Sequence, residues 1–238
     1  MPNLIVDIGN TRIKSALYDK QEKIWENAHS ELSEARSVWQ QLDIDHSLIS
    51  SVRWTEAELR ENLGLDFHFL THQTPLPIQN QYGSPETLGL DRLAAAIGGW
   101  SQAGGGAALV VDVGTCMTFE LVDSRGIYRG GAISPGLAMR AKAMHQFTAR
   151  LPLVDVGPKP ASHLADSTKT CMQAGVWYGI AYEIIGHIEA YRVEFPEIKV
   201  FVCGGDAHSF DSLAKDHIFV VPNLVLDGLN CILNHNVE

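Results

Sequence analysis

Nothing in this chain offers a disulfide frame or a zinc site. Its four cysteines, Cys116, Cys171, Cys203 and Cys231, are scattered with no C-x-x-C pair, and they read as reduced thiols of a cytoplasmic protein. Positive charge is scarce: 18 Lys and Arg stand against 28 Asp and Glu, a formal net charge of −10. That balance argues against nucleic acid or an anionic membrane surface as a partner. It also means that an anionic substrate must be met by local positive groups, because the overall field repels it. No apolar run reaches membrane-spanning length, and Met1-Pro2-Asn3 leads straight into a strand, so no leader peptide is expected. The ten histidines show no ligand spacing. The common phosphate loops are missing too. Lys14-Ser15 follows Gly9, but the second glycine of G-x-x-x-x-G-K-[ST] is absent, and no G-x-G-x-x-G opens a helix.

What the chain does have is one short pattern twice. Residues 4–14, LIVDIGNTRIK, are an apolar run broken by Asp7 that turns at Gly9 and leaves through Thr11 and Lys14. Residues 109–120, LVVDVGTCMTFE, put Asp112, Gly114, Thr115 and Thr118 in matching roles. Each reads as strand, tight turn, strand, and Gly lets the backbone bend close to a ligand. An Asp ending the first strand can hold a metal through water, while turn hydroxyls and N–H groups can cradle phosphate oxygens. Two such turns suggest two similar lobes facing each other across a nucleotide. Gly104-Gly105-Gly106 is a flexible joint where the boundary is expected, giving lobes at residues 1–106 and 107–238. A third glycine turn, Cys203-Gly204-Gly205-Asp206, follows an apolar strand, and its glycine pair can let an adenine or ribose lie flat against the main chain.

The order of elements is that of an α/β protein with mixed sheets covered by helices. Thr55 and Glu58 spell a capping box for a short helix, and Ser167-Thr168 caps a long one running to about Phe195. Gly175 and Gly179 on that helix are read as sites of close helix packing. A last helix is expected over residues 226–233. Before an Ala-rich helix lies residues 82–92, YGSPETLGLDR, which places Asp91 and Arg92 in the first helical turn. An Asp is favoured there by the helix dipole alone, whereas an Arg is not and needs another reason. The chemical reading makes Asp91 a general base for a substrate hydroxyl and Arg92 a fork for a carboxylate.

Asp7-Ile8-Gly9-Asn10-Thr11, Tyr82-Gly83, Gly89-Leu90-Asp91-Arg92, Asp112-Val113-Gly114-Thr115 with Thr118, Pro135-Gly136-Leu137 and Gly204-Gly205-Asp206 together resemble type III pantothenate kinase over nearly the whole chain. The resemblance implies the acetate and sugar kinase/Hsp70/actin fold: two related ribonuclease H-like, actin-like ATPase lobes with mixed sheets flanked by helices and ATP in the cleft. It implies phosphorylation of the primary hydroxyl of pantothenate, with Asp91 as catalytic base and Tyr82, Gly89, Asp91, Arg92 and Thr168 on the substrate. Asp7, Gly9, Asn10, Thr11, Lys14, Gly114, Thr115 and Thr118 would serve the ATP phosphates, and Gly204 and Gly205 the adenosine. Asp7 and Asp112 would attend a divalent metal such as Mg2+. A monovalent cation, potassium or ammonium, and a homodimer are implied as well. Three positions depart from the family: Glu120 stands where Asp is usual beside the cation, and Cys116 and Cys203 replace the usual Ala and Thr. The same fold also resembles the Bvg accessory factor proteins, named for transcriptional regulation, and other small-molecule kinases. Intact Asp7, Asp91, Arg92 and Asp112 favour an active enzyme.

Overall fold

Strands β1 (Pro2–Ile8) and β2 (Ile13–Asp19) pair antiparallel, with Asp7 opposite Lys14. The computed structural model describes residues 2–214 and 217–237. The first strand alternates: Leu4, Val6 and Ile8 enter a core with Ala35, Trp39, Leu59 and Leu63, while Asp7 takes the other face. The strand β3 (Glu22–His29) pairs with β2 as an exposed edge. Then come α1 (Leu32–Trp39), β4 (His46–Ser51), α2 (Glu56–Leu63), β5 (His68–Phe69), β6 (Gln79–Asn80) and α3 (Leu90–Gln102). The expected capping box opens α2: Glu58 N–H donates to the Thr55 hydroxyl, and Thr55 N–H to the Glu58 carboxylate. The sheet order is β3-β2-β1-β4-β5, antiparallel across the two hairpins and parallel from β1 to β4 to β5.

The pattern then repeats. Strands β7 (Ala108–Val113), β8 (Cys116–Val122) and β9 (Ile127–Pro135) form two antiparallel hairpins. Helices α4 (Leu137–Gln146) and α5 (Thr168–Glu194) follow, then β10 (Lys199–Cys203) and β11 (Ile218–Val220). These strands lie in the order β11-β10-β7-β8-β9, with β10 parallel to both β7 and β11. Each half is therefore a three-strand meander extended by two parallel strands. In the second, Leu109, Val111, Val113, Met117 and Phe119 pack with Val176, Trp177, Ile180 and Ile184 of α5. Each such fully buried side chain contributes about 1.5–3 kcal/mol.

The last helix, α6 (Leu224–Val237), contradicts the boundary read from sequence. Its contacts place it with the first unit, Met1–Gln102 and Leu224–Glu238, leaving Ala103–Asn223 as the second. The reason is a glycine crossing with α3. A Cβ on Gly228 would lie 1.8 Å from the Ala94 carbonyl oxygen, and one on Gly98 would lie 2.4 Å from that of Leu224. Polar contacts fix the same seam. Asn3 Nδ2 donates to Asn230 Oδ1 at 3.1 Å, and Tyr18 hydroxyl to Asp227 Oδ1 at 2.7 Å. Burial, then the charge of Asp227, pushes the Tyr18 phenol far up. The glycines expected to pack α5 closely do not do so: a Cβ on Gly175 would meet nothing within 4 Å, and one on Gly179 only the Arg140 guanidinium at 3.8 Å.

Candidate active site

Asp112 stands opposite Thr118 in the β7–β8 ladder. Because β7 and β8 send their odd-numbered residues into the core, Asp112, Thr118 and Glu120 share the opposite face. Gly114 N–H donates to Cys116 O at 3.0 Å and closes the turn between them. Two further backbones press against it. Gly136 N–H donates to Thr115 O at 3.1 Å, and a Cβ on Gly136 would fall 2.0 Å from Gly114 O. Gly204 has φ +97° and would put a Cβ 2.3 Å from Asp112 Oδ1, while Asp206 N–H donates to Val113 O at 2.9 Å. The second and third glycine turns thus form one cluster. Gly205 faces open space, as a surface on which a flat group could rest must do. Burial pushes the Asp206 carboxyl up. At the centre, Thr118 Oγ1 is buried with no hydrogen-bond partner among the described residues, and a buried polar atom of that kind calls for one.

In the first unit, Gly9 N–H donates to Arg12 O at 3.0 Å, leaving Asn10 and Thr11 exposed at the tip of the β1–β2 turn. Asp7 is half-buried, between Lys14 of β2 and Ser50 of β4 in the ladder. Asp91 and Arg92 are the second and third residues of α3, in the first turn as the sequence implies. Asp91 is exposed, and its Oδ1 accepts from Arg92 N–H at 2.8 Å. Gly89 makes room for that carboxylate, since a Cβ there would lie 2.5 Å from Oδ1. The Arg92 guanidinium sits 5.7 Å from the centre of the Tyr82 ring, within cation–π range. Tyr82, Gly89, Asp91 and Arg92 are therefore one cluster.

Among the described residues, no group of three or more His, Cys, Asp and Glu could hold a metal ion by itself. A single carboxylate at a turn suits an ion of the Mg2+ kind, which keeps its waters and takes phosphate oxygens beside one or two carboxylates.

The family model of type III pantothenate kinase matches residues 3–190. The chain belongs to that family. A type III pantothenate kinase of Bacteroides fragilis is 45% identical over 241 residues, covering 98% of each chain. One of Cytophaga hutchinsonii is 39% identical over 236 residues, with 99% of this chain and 100% of the other covered. Among solved structures, a Campylobacter jejuni protein described as a Baf family transcriptional activator superposes with TM-score 0.65 at 20% identity, covering 98% of both chains. The ROK hexokinase of Thermus thermophilus gives 0.53 at 12% over the full length of both. At those identities the structures share the fold, an actin-like kinase fold of mixed sheets flanked by helices.

For a type III pantothenate kinase, two further residues are expected at the site, Thr168 and Glu120. Thr168 is the exposed first residue of α5, capped by Ser167, and lines a groove of about 530 Å³ with Met144, Leu151 and Met172. Glu120 is fully buried, and one oxygen accepts from the Tyr128 hydroxyl at 2.5 Å. Sequence reasoning missed Arg140 and Glu183, which hold the strand end before Gly136. An Arg and a Glu on two helices carry no local signal of that task.

Proposed function

We propose that this protein transfers the γ-phosphoryl group of ATP to the primary hydroxyl of pantothenate, giving 4'-phosphopantothenate, the first step of coenzyme A biosynthesis. The observation that carries the reading is the family match, which spans both Asp-Gly-Thr turns and the Asp91–Arg92 pair. Phosphoryl transfer passes through a loose transition state, so positioning and charge neutralisation supply most of the rate. The Asp7–Thr11 turn with Lys14 and the Asp112–Thr118 turn bind phosphate oxygens, the orphaned Thr118 hydroxyl among the donors. Gly204 and Gly205 lie along the adenosine. A divalent ion would neutralise the charge of the transferring group when bound, and Asp7 and Asp112 are each a candidate carboxylate for it. Asp91 accepts the alcohol proton, a contribution of about 10²–10⁴ in rate. Arg92, steadied by Tyr82 and with Gly89 and Thr168 beside the substrate, takes the pantothenate carboxylate as the local positive group that a chain of net charge −10 needs.

The reading also includes a monovalent cation, potassium or ammonium, near Asp112 and Glu120, a homodimer, a cytoplasmic location, and no nucleic-acid or membrane partner. No helix among the described residues is long and apolar enough to cross a membrane. A regulatory, non-catalytic role of the kind named for the Campylobacter jejuni neighbour is less well supported, because that likeness is one of fold at 20% identity. Coupled ATP turnover with pantothenate, acetate and glucose, each with and without potassium, tests the reading. Turnover with pantothenate and enhancement by potassium are expected. Turnover with glucose and none with pantothenate overturns the reading.

A further inference from the structure

Arg140 grips the segment that backs the second glycine turn. Its Nε donates to Pro135 O at 2.7 Å and its Nη2 to Ser134 Oγ at 2.8 Å, and the same Nη2 is ion-paired with Glu183 of α5. Its own N–H donates to Gly136 O at 3.0 Å, so backbone and side chain hold residues 134–136 from both ends. Gly136 in turn donates to Thr115 O, and its Cα rests against Gly114 O too closely for any Cβ. The Thr115–Cys116 peptide is planar, so fixing its carbonyl fixes the direction of its N–H.

We propose that Arg140, anchored by Glu183, is a positioning residue for the phosphate-binding turn at residues 112–118, acting through Ser134, Pro135 and Gly136. The proposal rests on the reading that this turn holds ATP phosphates. A guanidinium suits the task because one rigid fork serves a carbonyl, a hydroxyl and a carboxylate together, which an ammonium cannot do in fixed directions. Burial pushes the Glu183 carboxyl up, but hydrogen bonds from Arg140 and Ser134 and the Arg140 charge outweigh it and hold it below the usual carboxylate value. The anchor is therefore ionised at neutral pH.

The test is calorimetric titration of the full chain with Mg·AMPPNP, beside steady-state kinetics, for Arg140→Met, Arg140→Lys and Ser134→Ala. Loss of a charge-assisted hydrogen bond predicts an AMPPNP Kd raised about tenfold in Arg140→Met. Arg140→Lys should recover part of that loss through Glu183, and Ser134→Ala should show a smaller rise of about threefold. KM for pantothenate should stay within about twofold in all three, since a positioning effect on one turn acts on one substrate. Should Arg140→Met fail to fold, the other two variants carry the test. A lowered melting temperature with unchanged AMPPNP affinity in every folded variant overturns the positioning role. So does a rise confined to the KM for pantothenate. Wild-type protein that binds no AMPPNP overturns the phosphate reading itself.

Discussion

Gly204 lies directly under Asp112: a Cβ on it would come within 2.3 Å of the Oδ1 oxygen and 2.4 Å of Val113 O, and its φ of +97° is one that L side chains rarely adopt. The third glycine turn is thus a packing partner of the second, and its first glycine has no room for substitution. Gly204→Ala should cost about 1–3 kcal/mol through backbone strain alone and weaken ATP binding by displacing Asp112. Gly205→Ala, with nothing within 4 Å, should leave the urea midpoint almost unchanged. Urea denaturation of the two variants checks this, beside AMPPNP titration of Gly204→Ala, and equal midpoints would contradict the packing described.

Asp91 is exposed, and its carboxylate accepts from the N–H of Arg92. Asp91→Asn should therefore keep the fold and ATP affinity while kcat falls by about 10² or more. An unchanged kcat would remove Asp91 from the chemistry. Arg92→Lys should act mainly on KM for pantothenate, because an ammonium loses the two-pronged contact with a carboxylate. A KM that stays put would mean that the carboxylate is recognised elsewhere.

The helix glycines sort by what surrounds them. Gly228→Ala drives a methyl to 1.8 Å from Ala94 O and should destabilise by about 1–3 kcal/mol, as overpacking does. Gly175→Ala, inside α5 with open space around it, should stabilise by about 0.5–1 kcal/mol through helix propensity and the unfolded state. Urea melts of both variants should move in opposite directions.

Asp123 is only 4% exposed and accepts hydrogen bonds from the Arg129 and Arg125 side chains and from the N–H groups of Arg125 and Ile127. Burial pushes its carboxyl up, yet the bonds from Arg129, Ile127 and Arg125 outweigh that and leave it below the ordinary carboxylate value. A depressed folded-state pKa means stability that is present above the unfolded value of about 3.9 and lost as pH falls through the folded one. Asp123→Asn should lower the urea midpoint at pH 7, and the gap to wild type should close below about pH 4. A gap of constant size across that range would contradict the assignment.

Much of this could be seen in the residues. The two Asp-Gly-Thr turns are legible because a buried strand interrupted by Asp and followed by Gly has few other uses. Thr55 with Glu58, and Ser167, are legible because capping is local chemistry. The longer-range features are not. Residues 224–237 say only that a buried helix is present, and its partner is named by Gly98 and Gly228, which look like ordinary helix glycines until the two helices cross. Gly175 and Gly179 mislead for the same reason in reverse. The strand β3 has no clear signal in the residues because an exposed edge needs no apolar alternation. Arg140 and Glu183 meet across 43 positions of sequence, a distance that no spacing rule spans.

The most direct measurement is phosphorus NMR of the purified protein with Mg·ATP, potassium and pantothenate. The result expected is a growing phosphomonoester signal coupled to the CH2 protons of the pantothenate alcohol, matched by ADP and slowed about 10²-fold or more in Asp91→Asn. Inorganic phosphate as the sole new signal, at the same rate with and without pantothenate, would contradict the proposed transfer.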